Sequence, residues 1–231
     1  MAAQAFKVSL ATTIVKKIVM AITGLFLVFF VIMHMLGNLS FVFGGPDAYN
    51  LYTYKLTSLG PLLYLVELVL LVAFLAHAFS GISVTAISRQ ARPSRYHKLT
   101  STGGSSKQTL FSRSMAVTGV ILLVFTAIHL VSFKFGAHYE TTVDGVVMRD
   151  MYRLVDEKFQ NPVYAIGYIA VMLLLLGHVR HGFWSAFQSL GTNKLKYSNT
   201  LYFLGLVIAA VVGFGFMVVP IAVFFGQYLA G

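Results

Sequence analysis

Five apolar stretches, near residues 18–42, 61–88, 114–136, 162–188 and 201–226, are each long enough to cross a bilayer as a helix, which takes about 20 residues. Nothing else in the sequence restricts the fold as strongly, because hydrocarbon leaves a backbone only helices or closed barrels. Of 231 residues, 58% are hydrophobic and 10% charged, where a soluble domain carries roughly 25% charged residues. The expected fold is therefore all-α: a single polytopic membrane domain, residues 1–231, with five transmembrane helices in a bundle. The first stretch follows Lys16 and Lys17 but is too long for a signal peptide and lacks a small-residue cleavage pattern. It is expected to stay in the mature protein.

The net charge of +10 reads as a topology signal, not as nucleic-acid binding. Lys7, Lys16, Lys17, the basic residues from Arg89 to Arg113, and Lys194 and Lys196 fall on one side of the expected spans. Lys55, Lys134, Arg149, Arg153 and Lys158 fall on the other, diluted by most of the acidic residues. The loop bias places the N-terminus inside and the C-terminus outside, and it makes the inner face a docking surface. On the outer side, 146–159 (VVMRDMYRLVDEKF) has apolar residues at helical spacing and is expected as a short interfacial helix. The inner loop 91–113 is expected as an irregular connection. The chain has no cysteine, which excludes disulfides, iron–sulfur clusters and thioether-linked haem.

Residues 20–34 (MAITGLFLVFFVIMH) and 115–129 (MAVTGVILLVFTAIH) repeat in register. Apolar matches are cheap in such sequence; the informative ones are Thr23–Gly24 and Thr118–Gly119, each glycine ten residues before a histidine. A second repeat, HAFSG (77–81) and HVRHG (178–182), makes spans one and two a hairpin echoed by spans three and four.

Four of the seven histidines lie in consecutive spans: His34, His77, His129 and His178. One such histidine is as readily a hydrogen-bonded core residue, but four in succession point to function, since ionisable groups in a membrane are costly. Their depths pair them. His34 and His129 lie roughly 22–24 Å from the inner ends of their spans, toward the outer side, and His77 and His178 lie about as far from the outer ends. Two facing pairs at two depths, very roughly 15–18 Å apart, suit bis-imidazole ligation of two haem irons and an electron path between them.

Several neighbours belong to this reading. Gly24 and Gly119 lie at the depth of the inner pair, where glycine lets a helix pass close to a macrocycle or, equally, to another helix. His181, three residues after His178, is an alternative ligand by spacing alone; the repeat alignment favours His178 and leaves His181 and Arg180 to meet haem propionates. Glu67, the one carboxylate within an expected span, stands near the level of the outer pair. It is either a helix-start residue or a proton-exchanging group. His97 and His138 read as solvated loop residues.

The motifs HMLGN (34–38), HAFSG (77–81), ARPSRY (91–96), SRSMAVTG (112–119) and HGFWSAFQSLG (181–191) resemble the di-haem cytochrome b membrane subunit of succinate:quinone oxidoreductases and fumarate reductases, in its single-subunit, five-helix form. The resemblance covers most of the chain. It implies two haem b groups, the distal one on His34 and His129 and the proximal one on His77 and His178. It further implies a flavoprotein and an iron–sulfur subunit on the inner face of the cell membrane, where succinate chemistry occurs, and electron exchange with quinone, usually menaquinone. Quinone candidates are Arg180, His181, Trp184, Tyr96 and His97 on the inner side, and Glu67, Asn38, Tyr49 and Asn50 on the outer. The rival readings are a haem b subunit of another dehydrogenase and, from a different class, a proton-coupled transporter with a histidine relay.

Overall fold

The computed structural model describes residues 12–91, 110–192 and 197–229. Among the described residues, five helices are long and apolar enough to cross a membrane. These are α1 (Thr13–Phe43), α3 (Pro61–Gln90), α4 (Leu110–His129) with its extension to Lys134, α6 (Pro162–Ser189) and α7 (Ser198–Leu229). Between them lie α2 (Gly45–Thr57), the strands β1 (Glu140–Val143) and β2 (Val146–Arg149), and α5 (Met151–Gln160). The chain is thus an all-α multi-pass membrane protein carrying one small hairpin.

Local chemistry sets the boundaries. The Thr12 hydroxyl accepts from the Val15 N–H at 3.3 Å and starts α1, as N-cap residues do. Asn161 accepts from the Val163 N–H at 2.9 Å, and Pro162 opens α6 just behind it. Asp150 caps α5 through the Arg153 N–H at 3.0 Å.

Four of the long helices form a ring. α1 packs on α3 and α6, and α4 packs on α6 and α3, so α1 stands diagonally across from α4, and α3 from α6. α7 lies outside the ring against α6 and α1. It presents Gly205 and Gly213 to Phe183 and Leu176 of α6, and Gly215 to Met35 of α1. Small residues at such contacts let backbones approach where hydrocarbon offers no hydrophobic drive for helices to associate.

The remaining elements form a cap over one end of the ring. α2, β1–β2 and α5 meet there, around a core of Phe41, Tyr49, Phe133, Leu154, Val155, Phe159, Val219 and Val223. Asn50, 2% exposed, ties two cap elements together. Its amide donates to Asp150 Oδ1, and its carbonyl oxygen accepts from the Tyr152 N–H, both at 2.9 Å.

Two expectations need correction, and one helix is new. Residues 146–159 are not one helix: 146–149 pair as β2 with β1, in register Glu140↔Arg149 to Val143↔Val146, and α5 begins at Met151. The cause is Asp144–Gly145, whose positive φ values of 52° and 77° make the two-residue turn that joins antiparallel strands. α2 was not foreseen; its polar, aromatic sequence hid a helix that buries Tyr49 and Asn50. The connection 91–113 is shorter than expected at its far end, because α4 starts at Leu110; residues 92–109 lie outside the described residues.

Candidate functional site: two histidine pairs across the bundle

Both diagonals of the ring end in imidazoles. His34 of α1 faces His129 of α4 on the cap side, with ring centroids 5.8 Å apart and planes at 90°. His77 of α3 faces His178 of α6 on the far side, at 6.3 Å and 70°. His181 does not face His77; it stands against Trp184, with centroids 6.2 Å apart.

The far pair explains the doubled Thr–Gly. His77 Nδ1 lies 2.9 Å from the Met20 carbonyl oxygen and 3.5 Å from Thr23 Oγ1. His178 Nδ1 lies 3.0 Å from Thr118 Oγ1. Thr118 Oγ1 is also 3.1 and 3.2 Å from the Ser114 and Met115 carbonyl oxygens, where its hydrogen goes. It therefore accepts the Nδ1–H of His178. These bonds favour a proton on Nδ1 of each ring, which leaves Nε2 as the basic nitrogen, the tautomer of metal-binding histidines. Gly24 makes room for its ring, and Gly119 stands beside the other. A Cβ at Gly24 would come within 2.9 Å of His77 Cε1, and one at Gly119 within 3.5 Å of His178 Cε1. Each glycine therefore stands beside an imidazole of the far pair. Because Gly24 and His34 are ten residues apart on α1, the two pairs lie about 15 Å apart along the helix.

The cap pair has different partners. His129 Nδ1 lies 3.3 Å from the Tyr168 hydroxyl. The Asn38 amide donates to the His34 carbonyl at 2.8 Å and lies 3.4 Å from its Nε2; Tyr49 donates to Asn38 Oδ1 at 3.2 Å. Burial raises the Tyr49 phenol well above its usual pKa, so it remains a neutral donor. Phe30 stacks on His34 at 5.5 Å, and Phe125 and Phe133 lie 6.0 and 5.3 Å from His129.

The donor sets fit a planar prosthetic group. Metal–imidazole bonds are about 2 Å and a ring centroid stands about 1 Å behind its nitrogen, so two imidazoles on one metal put centroids about 6 Å apart. Both pairs have that spacing. Among the described residues no group of three or more His, Cys, Asp or Glu side chains could hold a bare ion. Two imidazoles alone would leave such an ion under-ligated, whereas haem iron asks the protein only for axial ligands.

The other candidates are dispersed. Glu67 of α3 is ion-paired with Lys134, just beyond α4, and both are partly exposed. Asn38 and Tyr49 are committed to the His34 chain and Asn50 to the cap, as described. Arg180 donates to the Tyr202 hydroxyl at 2.6 Å, its guanidinium 5.2 Å from that ring's centroid. Trp184, 3% exposed, donates to Ser198 Oγ at 3.4 Å. Tyr96 and His97 lie outside the described residues. His138 is 3.9 Å from Glu140 and largely exposed. Sequence reasoning gave no role to Thr23, Thr118 or Tyr168. The threonines were within reach, since they share the far pair's depth; Tyr168 carries no periodic signal.

Residues 88–219 match the family described as succinate dehydrogenase/fumarate reductase transmembrane subunit. That is more than half the chain. Searches of curated proteins and of solved structures gave no match.

Proposed function

The chain belongs to the succinate dehydrogenase/fumarate reductase transmembrane subunits, and on that premise we propose that it holds two haem b groups and links an iron–sulfur subunit to membrane quinone, most simply menaquinone. The observation that carries this reading is the presence of two diagonal imidazole pairs, at 5.8 and 6.3 Å, on different levels of one bundle. His34 and His129 would hold one haem, His77 and His178 the other. When bound, the haems supply one-electron carriers at two depths, so charge crosses the bundle without diffusion of any group.

The chain's own residues do the rest. Thr118 and Met20 fix the tautomers of His178 and His77, and Tyr168 and Asn38 meet the cap-side rings. Lys16 and Lys17 open α1 at the far end, which this reading places inside, facing a flavoprotein and an iron–sulfur subunit in the cell membrane. The cap then lies outside. Quinone reduction needs a proton donor in an apolar setting, and Glu67 with Lys134 is the ion pair the spans present there.

The test is haem stoichiometry in the purified complex. Two low-spin haem b per chain are expected. Alanine at His34 or His129 should remove one component of the redox titration, and alanine at His77 or His178 the other. Loss of the same component from His34→Ala and His77→Ala would overturn the pairing. Absence of any haem band would overturn the haem reading.

A further inference from the structure

His129 is the last residue of α4, and the next five residues, Leu130–Lys134, wind into a π-helical turn. Such a turn inserts one residue into a helix, is rare, and sits frequently at functional sites. Its closing bond is the Phe135 N–H to the Leu130 carbonyl at 3.0 Å. The carbonyls beyond have no helical partner.

Arg149, at the end of β2, supplies one. Its guanidinium donates to the carbonyls of Lys134 at 3.2 Å, Phe133 at 3.1 Å, Gly136 at 3.2 Å and Ala137 at 2.9 Å. Two nitrogens held in one rigid plane share these acceptors, three of them grouped at Nη2 and one at Nη1, a spread that a lysine ammonium does not reproduce. From the other side, the Gly136 backbone lies so close to the Ser132 carbonyl that a Cβ there would collide with it. The turn so fixed buries Ser132 and Phe133, sets Phe133 5.3 Å from the His129 ring and brings Lys134 to Glu67.

We propose that Arg149 is a positioning residue for the cap-side pair: by clamping the π turn it holds His129 opposite His34. The inference rests on the haem reading above and concerns a residue that touches neither histidine.

Two variants address the same turn from its two sides. Arg149→Lys keeps the charge and loses the fork, while Gly136→Ala leaves Arg149 intact and forces the turn open. Each is purified as the whole complex and examined by haem content, redox titration and low-temperature spectra of the low-spin ferric state. In both, the component lost in His129→Ala should shift its midpoint and g-values, or disappear so that haem falls from two per chain toward one. The component lost in His178→Ala should be unchanged. Both components unaltered in both variants would overturn the proposal, as would equal loss of both, which is the mark of a general structural role. Wild-type complex with fewer than two haems would overturn the haem reading itself, and shows before any variant is made.

Discussion

Thr118 Oγ1 lies 3.0 Å from His178 Nδ1, and this contact gives the doubled Thr–Gly dipeptide its purpose. The hydroxyl on α4 accepts a hydrogen bond from the imidazole on α6, and the next residue, Gly119, lies against that ring. Thr23 and Gly24 stand in the same relation to His77, except that the Met20 carbonyl takes the main bond at 2.9 Å.

That difference predicts unequal threonine variants. Thr118→Val removes the acceptor that orients His178 and should weaken far-side haem retention about ten- to a hundred-fold, the usual effect of losing such a partner. Thr23→Val leaves the Met20 bond in place and should change it little. Haem dissociation measured on both complexes checks this, and equal effects would count against the tautomer argument.

The glycines should be unequal in the same pair. An alanine at Gly24 would press on His77 Cε1 at 2.9 Å, whereas one at Gly119 would meet His178 at an ordinary 3.5 Å. Gly24→Ala is expected to lower far-side haem content or shift its midpoint, with Gly119→Ala near wild type. Quantitative haem assay with a redox titration distinguishes them.

His178→Ala should abolish the low-spin signal of the far-side haem, because that ring is the one opposite His77. His181→Ala should leave the haem low-spin, since its ring sits against Trp184. Spectra of the two variants decide the matter, and the opposite result would reassign the ligand.

Glu67→Gln removes the charge paired with Lys134 at the surface between α3 and the π turn and is nearly isosteric. Both haems and assembly with the soluble subunits should survive. Quinone-linked turnover should fall, while succinate oxidation with an artificial acceptor continues. Lys134→Met should act in the same direction. Full quinone activity in Glu67→Gln would reduce the pair to a structural contact.

The sequence alone determined the bundle. Hydrocarbon length fixes five spans, and the constant rise of a helix turns residue spacing into depth, so two levels of histidine could be read before any contact was known. It could not determine azimuth or partnership. Whether His178 or His181 faces His77 depends on the rotation of α6 against α1, α4, α5 and α7. How near Gly24 comes to the His77 ring depends on how closely α1 and α3 pack. The cap was hidden for a related reason. Apart from α5, whose apolar face was legible, its short elements are held by one another, through Asn50, Asp150 and the Arg149 guanidinium. Likewise the π turn after His129 has no sequence signature, since its acceptors find their donor on a strand that lies apart in the chain and adjoins them only in the folded molecule. Tertiary structure decided these features because each is a relation between distant residues, while depth is a property of one helix.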